Sequence, residues 1–215
     1  MPVKVKICDV RTLDIVECCQ RAGADYIGIH QIKGPLSEEK RNLLRNIRDF
    51  SGKMEIVLVT KEENIDVLVE MCSIFEWDYI QLHFYVTENF VNQLKLELCK
   101  RCKKVPGIIV VIETRQLGCI DVSKMYQMAD YILFDSSMHG GTGIVSSEDA
   151  LYKISDFSES MDYFVAGGLT SKNVTEIINI SNPYAVDVQS GVEYVKHQKD
   201  PQKIIEFINM VKEHN

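Results

Sequence analysis

A closed, parallel (β/α)8 barrel is the fold class that the sequence predicts, on three observations. Eight short apolar runs alternate with helix-length segments along 215 residues. Tyrosines recur at positions 26, 79, 131 and 184, with gaps of 53, 52 and 53 residues. The tripeptide Asp-Tyr-Ile opens at positions 25, 78 and 130. A repeat at fixed spacing sets the architecture before any local reading does, and this period has the length of two strand–helix units. Repeated along the chain it gives eight equal units, which fit a closed barrel better than an open doubly wound sheet. At this length the barrel must be compact, with short loops and one domain over 1–215.

Each element follows from local pattern. "VKVKIC" (3–8) is the first strand, and Leu13 to Ala22 before Gly23 has helical spacing with a glycine stop. "DYIGIH" (25–30) precedes Ser37-Glu-Glu-Lys, a helix-start signature. The next strands are "MEIVLV" (54–59), "DYIQLH" (78–83), "GIIVVIE" (107–113) and "DYILFD" (130–135). "DYFVAGG" (162–168) leads into a helix predicted from Ser171-Lys-Asn-Val, and "YAVDV" (184–188) is the last strand. Strands separated by helices pair in parallel, because the crossover needs a helix to return the chain.

Composition excludes several classes. Hydrophobic residues make up 46% and charged residues 26%, values of a soluble globular protein. A net charge of −7 argues against a nucleic-acid partner, since phosphate contacts dominate that affinity. No apolar run has the length of a membrane span, and Met-Pro-Val-Lys-Val-Lys lacks a signal peptide's apolar core, so a cytoplasmic protein is expected. The seven cysteines are odd in number and scattered, which reads as reduced thiols. Cys99 and Cys102 form a C-x-x-C pair in a helix-like stretch without a second pair at zinc spacing, so no metal is expected. A monomer and a homodimer both fit.

Alternation along the strands collects polar residues at one end. Tyr26, Gly28 and His30 share a side, as do Tyr79, Gln81 and His83, and Tyr131, Leu133 and Asp135. If that side faces the barrel axis, His30, His83 and Asp135 meet at the C-terminal mouth, where βα loops build sites. Singly, each also reads as a helix cap or a partner for a loop carbonyl. Cys8 ends the first strand as an apolar filler, a nucleophile or a proton acceptor, and a nearby cation such as Lys6 would favour its thiolate. Lys6 also reads as a core lysine paired to Asp187. "VAGGLTSKNV" and "VDVQSGVEYV" bring Gly167, Gly168, Ser190 and Gly191 to the loops after strands 7 and 8, the phosphate-binding corner of such barrels. Ser190-Gly191 looks like the start of a short helix. "GGTG" (140–143), with Gly141 and Gly143, is a weaker phosphate signal that also reads as a flexible lid.

At these residues the chain resembles phosphoribosylanthranilate isomerases. The matching stretches are "VKIC" (5–8), "AGADYIG" (22–28), "IQLH" (80–83), "LFD" (133–135), "GGTG" (140–143), "AGGLTSKNV" (166–174) and "PYAVDVQSGVE" (183–193). They run in order through nearly the whole chain. The resemblance implies a cofactor-independent Amadori rearrangement of a small phosphosugar substrate in tryptophan biosynthesis. It implies Cys8 as general base, Asp135 as general acid, and Gly167, Gly168, Ser190 and Gly191 around phosphate. Asp187 would bond a sugar hydroxyl or orient Lys6. Two other readings stand beside this one: an isomerase of the same reaction type on a different phosphosugar amine, and a non-catalytic barrel that binds a phosphate ligand.

The chain also departs from the family pattern. Asp9 replaces the glycine that usually follows Lys-Ile-Cys, and Phe84 replaces the glycine after "QLH". "GGTG" runs into Ile144-Val-Ser-Ser instead of a basic residue and Phe-Asp-Trp. The loop after strand 2 is shorter, with Gly34 where the family carries a substrate-binding arginine. Lys33 is adjacent, but Arg11 and Arg115 follow strands on the catalytic face and are the expected replacements, because arginine grips a carboxylate through two bonds.

Overall fold

The computed structural model describes residues 2–137 and 145–214. The strands are β1 (Lys4–Ile7), β2 (Tyr26–His30), β3 (Glu55–Thr60), β4 (Tyr79–Leu82), β5 (Gly107–Glu113), β6 (Tyr131–Asp135), β7 (Tyr163–Ala166) and β8 (Ala185–Val188). They pair in parallel, in sequence order, and β8 returns to β1 to close the barrel. Between them run α1 (Leu13–Ala22), α2 (Glu38–Ser51), α3 (Ile65–Ile74), α4 (Glu88–Arg101), α5 (Val122–Met128), α6 (Glu148–Ser155) and α7 (Val174–Ser181). A short hairpin, β9 (Glu193–Val195) and β10 (Gln198–Lys199), precedes α8 (Pro201–His214).

The repeated tripeptide has a physical use. Asp25, Asp78 and Asp130 each precede an even-numbered strand, and each carboxylate accepts from a backbone amide near the start of the preceding odd strand. The distances are 2.9 Å to Val5 N, 2.7 Å to Ile56 N and 2.7 Å to Ile108 N. The repeat therefore stitches the N-terminal rim, the face on which such barrels concentrate stability. The tyrosines close the same end from inside. Ring centroids lie 6.1 Å apart for Tyr26–Tyr79, 5.5 Å for Tyr79–Tyr131 and 5.3 Å for Tyr131–Tyr184, and the Tyr26 and Tyr184 hydroxyls approach to 3.2 Å. Above them the pore is filled by Val57, Val59, Ile109, Val111, Leu133, Phe164 and Ala185. The wider core lies between strands and helices, with Trp77, Phe134 and Phe207 fully buried. Polar groups thus reach the axis at the C-terminal mouth, where apolar filling ends.

Local signals hold with two corrections. Gly23 takes φ 86 and its amide closes α1 on Cys19 O and Gln20 O, a left-handed stop that suits glycine. Ser37 caps α2 by accepting from Lys40 N. The helix expected from Ser171 instead starts at Val174. Its Asn173 side chain turns back to accept from Thr170 N at 2.7 Å, which ties up the turn before the helix. The short helix expected at Ser190-Gly191 is a single 3-10 turn, Ser190–Val192, running into the β9–β10 hairpin. No helix among the described residues is long and apolar enough to cross a membrane.

Candidate active site

One pocket at the C-terminal mouth gathers residues from seven of the eight strands and their loops. Cys8, His30, His83, Asp135, Gly167, Gly168, Asp187 and Ser190 line it, together with Val59, Gln81, Ala166, Leu169 and Gln189. Strand register explains the gathering: Lys6 pairs across from Tyr26 and Asp187, and Asp135 from Glu113 and Ala166.

Beneath the mouth Lys6 is fully buried. Its ammonium donates to Asp187 Oδ2 at 2.7 Å, Gln81 Oε1 at 2.9 Å and Cys8 Sγ at 3.4 Å. Burial works against that charge, but Asp187 and Cys8 more than offset it, and the Lys6 pKa lies above the ordinary lysine value. A buried cation with three acceptors is satisfied, as burial of charge demands. Asp187 Oδ1, also buried, has no hydrogen-bond partner among the described residues. Room for this cluster comes from Gly28: a Cβ there would meet Cys8 Sγ at 2.9 Å and Lys6 Nζ at 3.3 Å. Gln81, which shares the inward phase of His83, places Nε2 3.3 Å from His83 Nδ1.

Asp135 is 7% exposed. Burial raises its pKa to about 6, against the pull of the Ser137 amide, which donates to Oδ1 at 2.9 Å; the Asp187 charge adds to the rise. Such a carboxyl is partly protonated near neutrality, as a general acid requires. Cys8 runs the other way from a ready base. Burial and the Asp187 charge push its thiol up to about 12, and Lys6 and Lys199 only partly oppose them. A cation close to sulfur is therefore insufficient here, because desolvation of the thiolate outweighs it.

The loops after β7 and β8 interlock. Gly167 and Gly168 have φ 94 and φ 65, and a Cβ at Gly167 would strike Ser136 Oγ at 2.0 Å. A Cβ at Gly191 would lie 1.8 Å from Leu169 O, so the backbones of the two loops meet there. Gly141 and Gly143 lie outside the described residues.

Asp9 sits where the family's glycine would rest without strain, at φ 59. Its carboxylate takes Arg11 through two bonds, 2.9 and 3.1 Å, and His197 Nδ1 at 2.7 Å. Burial opposes its charge, and Arg11, His30 and His197 hold it below the usual carboxylate range. Asp9, Glu193 and His197 place ligand-type atoms within 4.8 Å of one another. Protein partners occupy them: Glu193 takes Lys199 Nζ at 3.0 Å and the His197 amide at 3.0 Å. We read the cluster as an ion-pair network.

Arg11 also lines a second cavity of about 180 Å3 with Asp9, Val10, Ile29, His30, Ser37, Glu39, Lys40 and Leu43. His30 therefore borders both spaces. Arg115 instead pairs with Glu113 at 2.8 Å and lines neither. Lys40 carried no sequence signal, since it lies on the first turn of α2. Its ammonium donates to Gln31 Oε1 at 3.0 Å, and burial with Arg11 nearby lowers its pKa.

A closed (β/α)8 barrel with charged, thiol and carboxyl groups gathered at its C-terminal mouth defines the class: a barrel enzyme with its site built by the βα loops. The sequence profile described as N-(5'phosphoribosyl)anthranilate (PRA) isomerase matches residues 5–210, and the chain belongs to that family. It is 32% identical to the N-(5'-phosphoribosyl)anthranilate isomerase of Lachnoclostridium phytofermentans, with 96% of each chain covered. To the isomerase of the same name from Streptococcus gordonii it is 34% identical, with 98% of each covered. The crystal structure of phosphoribosyl anthranilate isomerase from Thermotoga maritima superposes with a TM-score of 0.76 at 25% identity, over 98% of this chain and 99% of that one.

Proposed function

We propose that this protein converts N-(5-phosphoribosyl)anthranilate into 1-(carboxyphenylamino)-1-deoxyribulose phosphate, with Asp135 as acid and Cys8 as base. The observation that carries the reading is the shared pocket: an acid poised near neutrality and a thiol line one cavity, beside two glycine-turn loops. Asp135 gives its proton to the furanose ring oxygen, the C1–oxygen bond breaks, and the sugar opens to an iminium. The Cys8 thiolate then removes the C2 proton to leave an enol-amine. Return of a proton to C1 and loss of the C2 hydroxyl proton give the ketone, and both side chains are restored. Asp187 serves both roles foreseen for it: Oδ2 fixes Lys6, while Oδ1 receives a sugar hydroxyl. Backbone amides around Gly167, Gly168, Ser190 and Gly191 receive the phosphate, and the motif "GGTG" assigns Gly141 and Gly143 to the same ligand.

The aromatic end goes to the cavity shared through His30. Val10, Ile29 and Leu43 offer apolar walls, and Arg11 with Lys40 offers the cations that a desolvated carboxylate needs. Arg11, not Arg115, then replaces the arginine missing at Gly34. Arg11→Ala raises KM about tenfold, the worth of one charge-assisted bond in a half-exposed setting. Arg115→Ala leaves it unchanged. Steady-state kinetics on both variants reads this directly, and equal KM values for Arg11→Ala and wild type would remove Arg11 from the site.

The whole reading is tested in vivo. The gene restores growth without tryptophan to an auxotroph lacking this isomerase. Failure to do so with soluble protein present would favour a different phosphosugar amine as substrate.

A further inference from the structure

The mechanism leaves one proton without a destination. Cys8 must lose its own proton before it can take one from C2, and its buried setting holds it as the thiol. The sulfur touches a base: His30 Nε2 lies 3.2 Å from Cys8 Sγ. On the far side of the ring, His30 Nδ1 lies 3.7 Å from Asp9 Oδ1, within ion-pair range. Asp9 is itself fixed from behind by Arg11 and by His197 Nδ1. Both Asp9 and His197 adopt left-handed backbone, φ 59 and φ 67, a conformation that disfavours a side-chain-bearing residue. Gly28, in the same strand as His30, leaves room for the Cys8 sulfur, which a Cβ there would meet at 2.9 Å.

We propose that His30 is the proton acceptor for Cys8, a positioning residue which, oriented by Asp9, draws the thiol proton onto Nε2 so that the sulfur serves as thiolate. The inference rests on the reading of Cys8 as base. The S–H bond breaks, the Nε2–H bond forms, and sulfur keeps the electron pair. Nothing else is consumed. The resulting imidazolium faces the Asp9 carboxylate, and the thiolate faces the Lys6 ammonium. Around His30, Asp9 favours the charged ring, whereas Lys6, His83 and Lys199 oppose it. Burial, the largest influence, lowers its pKa, so the ion pair is a minor form that the neutral pair feeds, held by the attraction of thiolate and imidazolium across 3.2 Å.

The relay has a signature that packing cannot imitate. Transfer to His30 moves a proton within the protein, so the thiolate–imidazolium form carries as many protons as the neutral pair. Its share is then independent of pH above the titration of His30. A thiolate formed by loss to solvent increases about tenfold per pH unit below the thiol pKa.

The experiment follows carbamidomethylation of Cys8 by iodoacetamide in substrate-free protein from about pH 5 to about pH 9, read by peptide mass spectrometry. Exposed Cys99 and Cys119 in the same samples check that the reagent is active at each pH. The expected wild-type rate at Cys8 is flat through the lower half of that range. In His30→Gln, which keeps a polar side chain but takes no proton, the rate rises about tenfold per unit and lies at least tenfold below wild type at the acid end. The ratio of kcat/KM between wild type and His30→Gln also falls about tenfold per pH unit, because the two active forms differ by one proton. A wild-type Cys8 profile that rises about tenfold per pH unit overturns the relay, as does a pH-independent kcat/KM ratio. Failure of the underlying reading looks different. Cys8→Ala that retains turnover refutes Cys8 as base while the flat profile still stands, whereas an inactive Cys8→Ala beside a rising wild-type profile refutes the relay alone.

Discussion

Cys8→Ala and Asp135→Asn each lower turnover by about 10³-fold or more while the barrel stays folded, in line with the loss of a positioned acid or base. Both substitutions are mild for the scaffold. Alanine at position 8 removes one sulfur from the pore, and Lys6 keeps its bonds to Asp187 and Gln81. Asparagine at 135 retains the shape and the oxygen that accepts from Ser137 N. It loses the dissociable proton that burial holds on the acid near neutrality. Kinetics on purified variants, with far-ultraviolet circular dichroism as the fold check, measures this. Near-wild-type turnover in either variant would refute the role given to that residue.

A carboxylate in the phosphate cradle is the second large effect. Gly168 has φ 65, a conformation that aspartate tolerates better than most residues, so Gly168→Asp tests charge more than strain. Gly191 is the poorer choice, because any Cβ there collides with Leu169 O. Gly168→Asp weakens substrate affinity at least tenfold, since roughly 1.5–3 kcal/mol of charge-assisted bonding is replaced by repulsion. Gly118→Asp serves as the control: φ 93, open space, and no place in the pocket lining. Calorimetry compares the three proteins, and inorganic phosphate competes with substrate in wild type. Unchanged affinity in Gly168→Asp would count against this corner as the phosphate site.

Much of the fold is legible because its signals are periodic. The tyrosine spacing reports a real layer, since each tyrosine fills the same level of the barrel floor. The accompanying aspartates report a real bond, repeated three times around the N-terminal rim. Alternation along β2, β4 and β6 likewise carries His30, Gln81, His83 and Asp135 to one mouth. The same rule fails at β8: counted from Tyr184 it turns Asp187 outward, whereas Ala185 and Asp187 face the axis because Tyr184 precedes the strand. Two local signals mislead for a similar reason. The Asn173 side chain is used by the turn before α7, and the chain after Ser190 is recruited into a hairpin.

What stays hidden is what depends on burial and on distant partners. Lys6 reads as a cation able to support a thiolate, and it does touch the sulfur, yet desolvation decides the protonation state. Asp9 reads as a stray charge beside Cys8. It becomes intelligible only when His197, 188 positions away along the chain, is seen bonded to it. Lys40 enters the second cavity from a helix face that looks like ordinary solvated surface in sequence.

The most direct test of the account is the loss of anthranilate fluorescence when purified wild-type protein is mixed with N-(5-phosphoribosyl)anthranilate. Catalytic turnover is expected, lowered by about 10³-fold or more in Cys8→Ala and in Asp135→Asn. Absence of turnover at millimolar substrate, from folded protein, would contradict it.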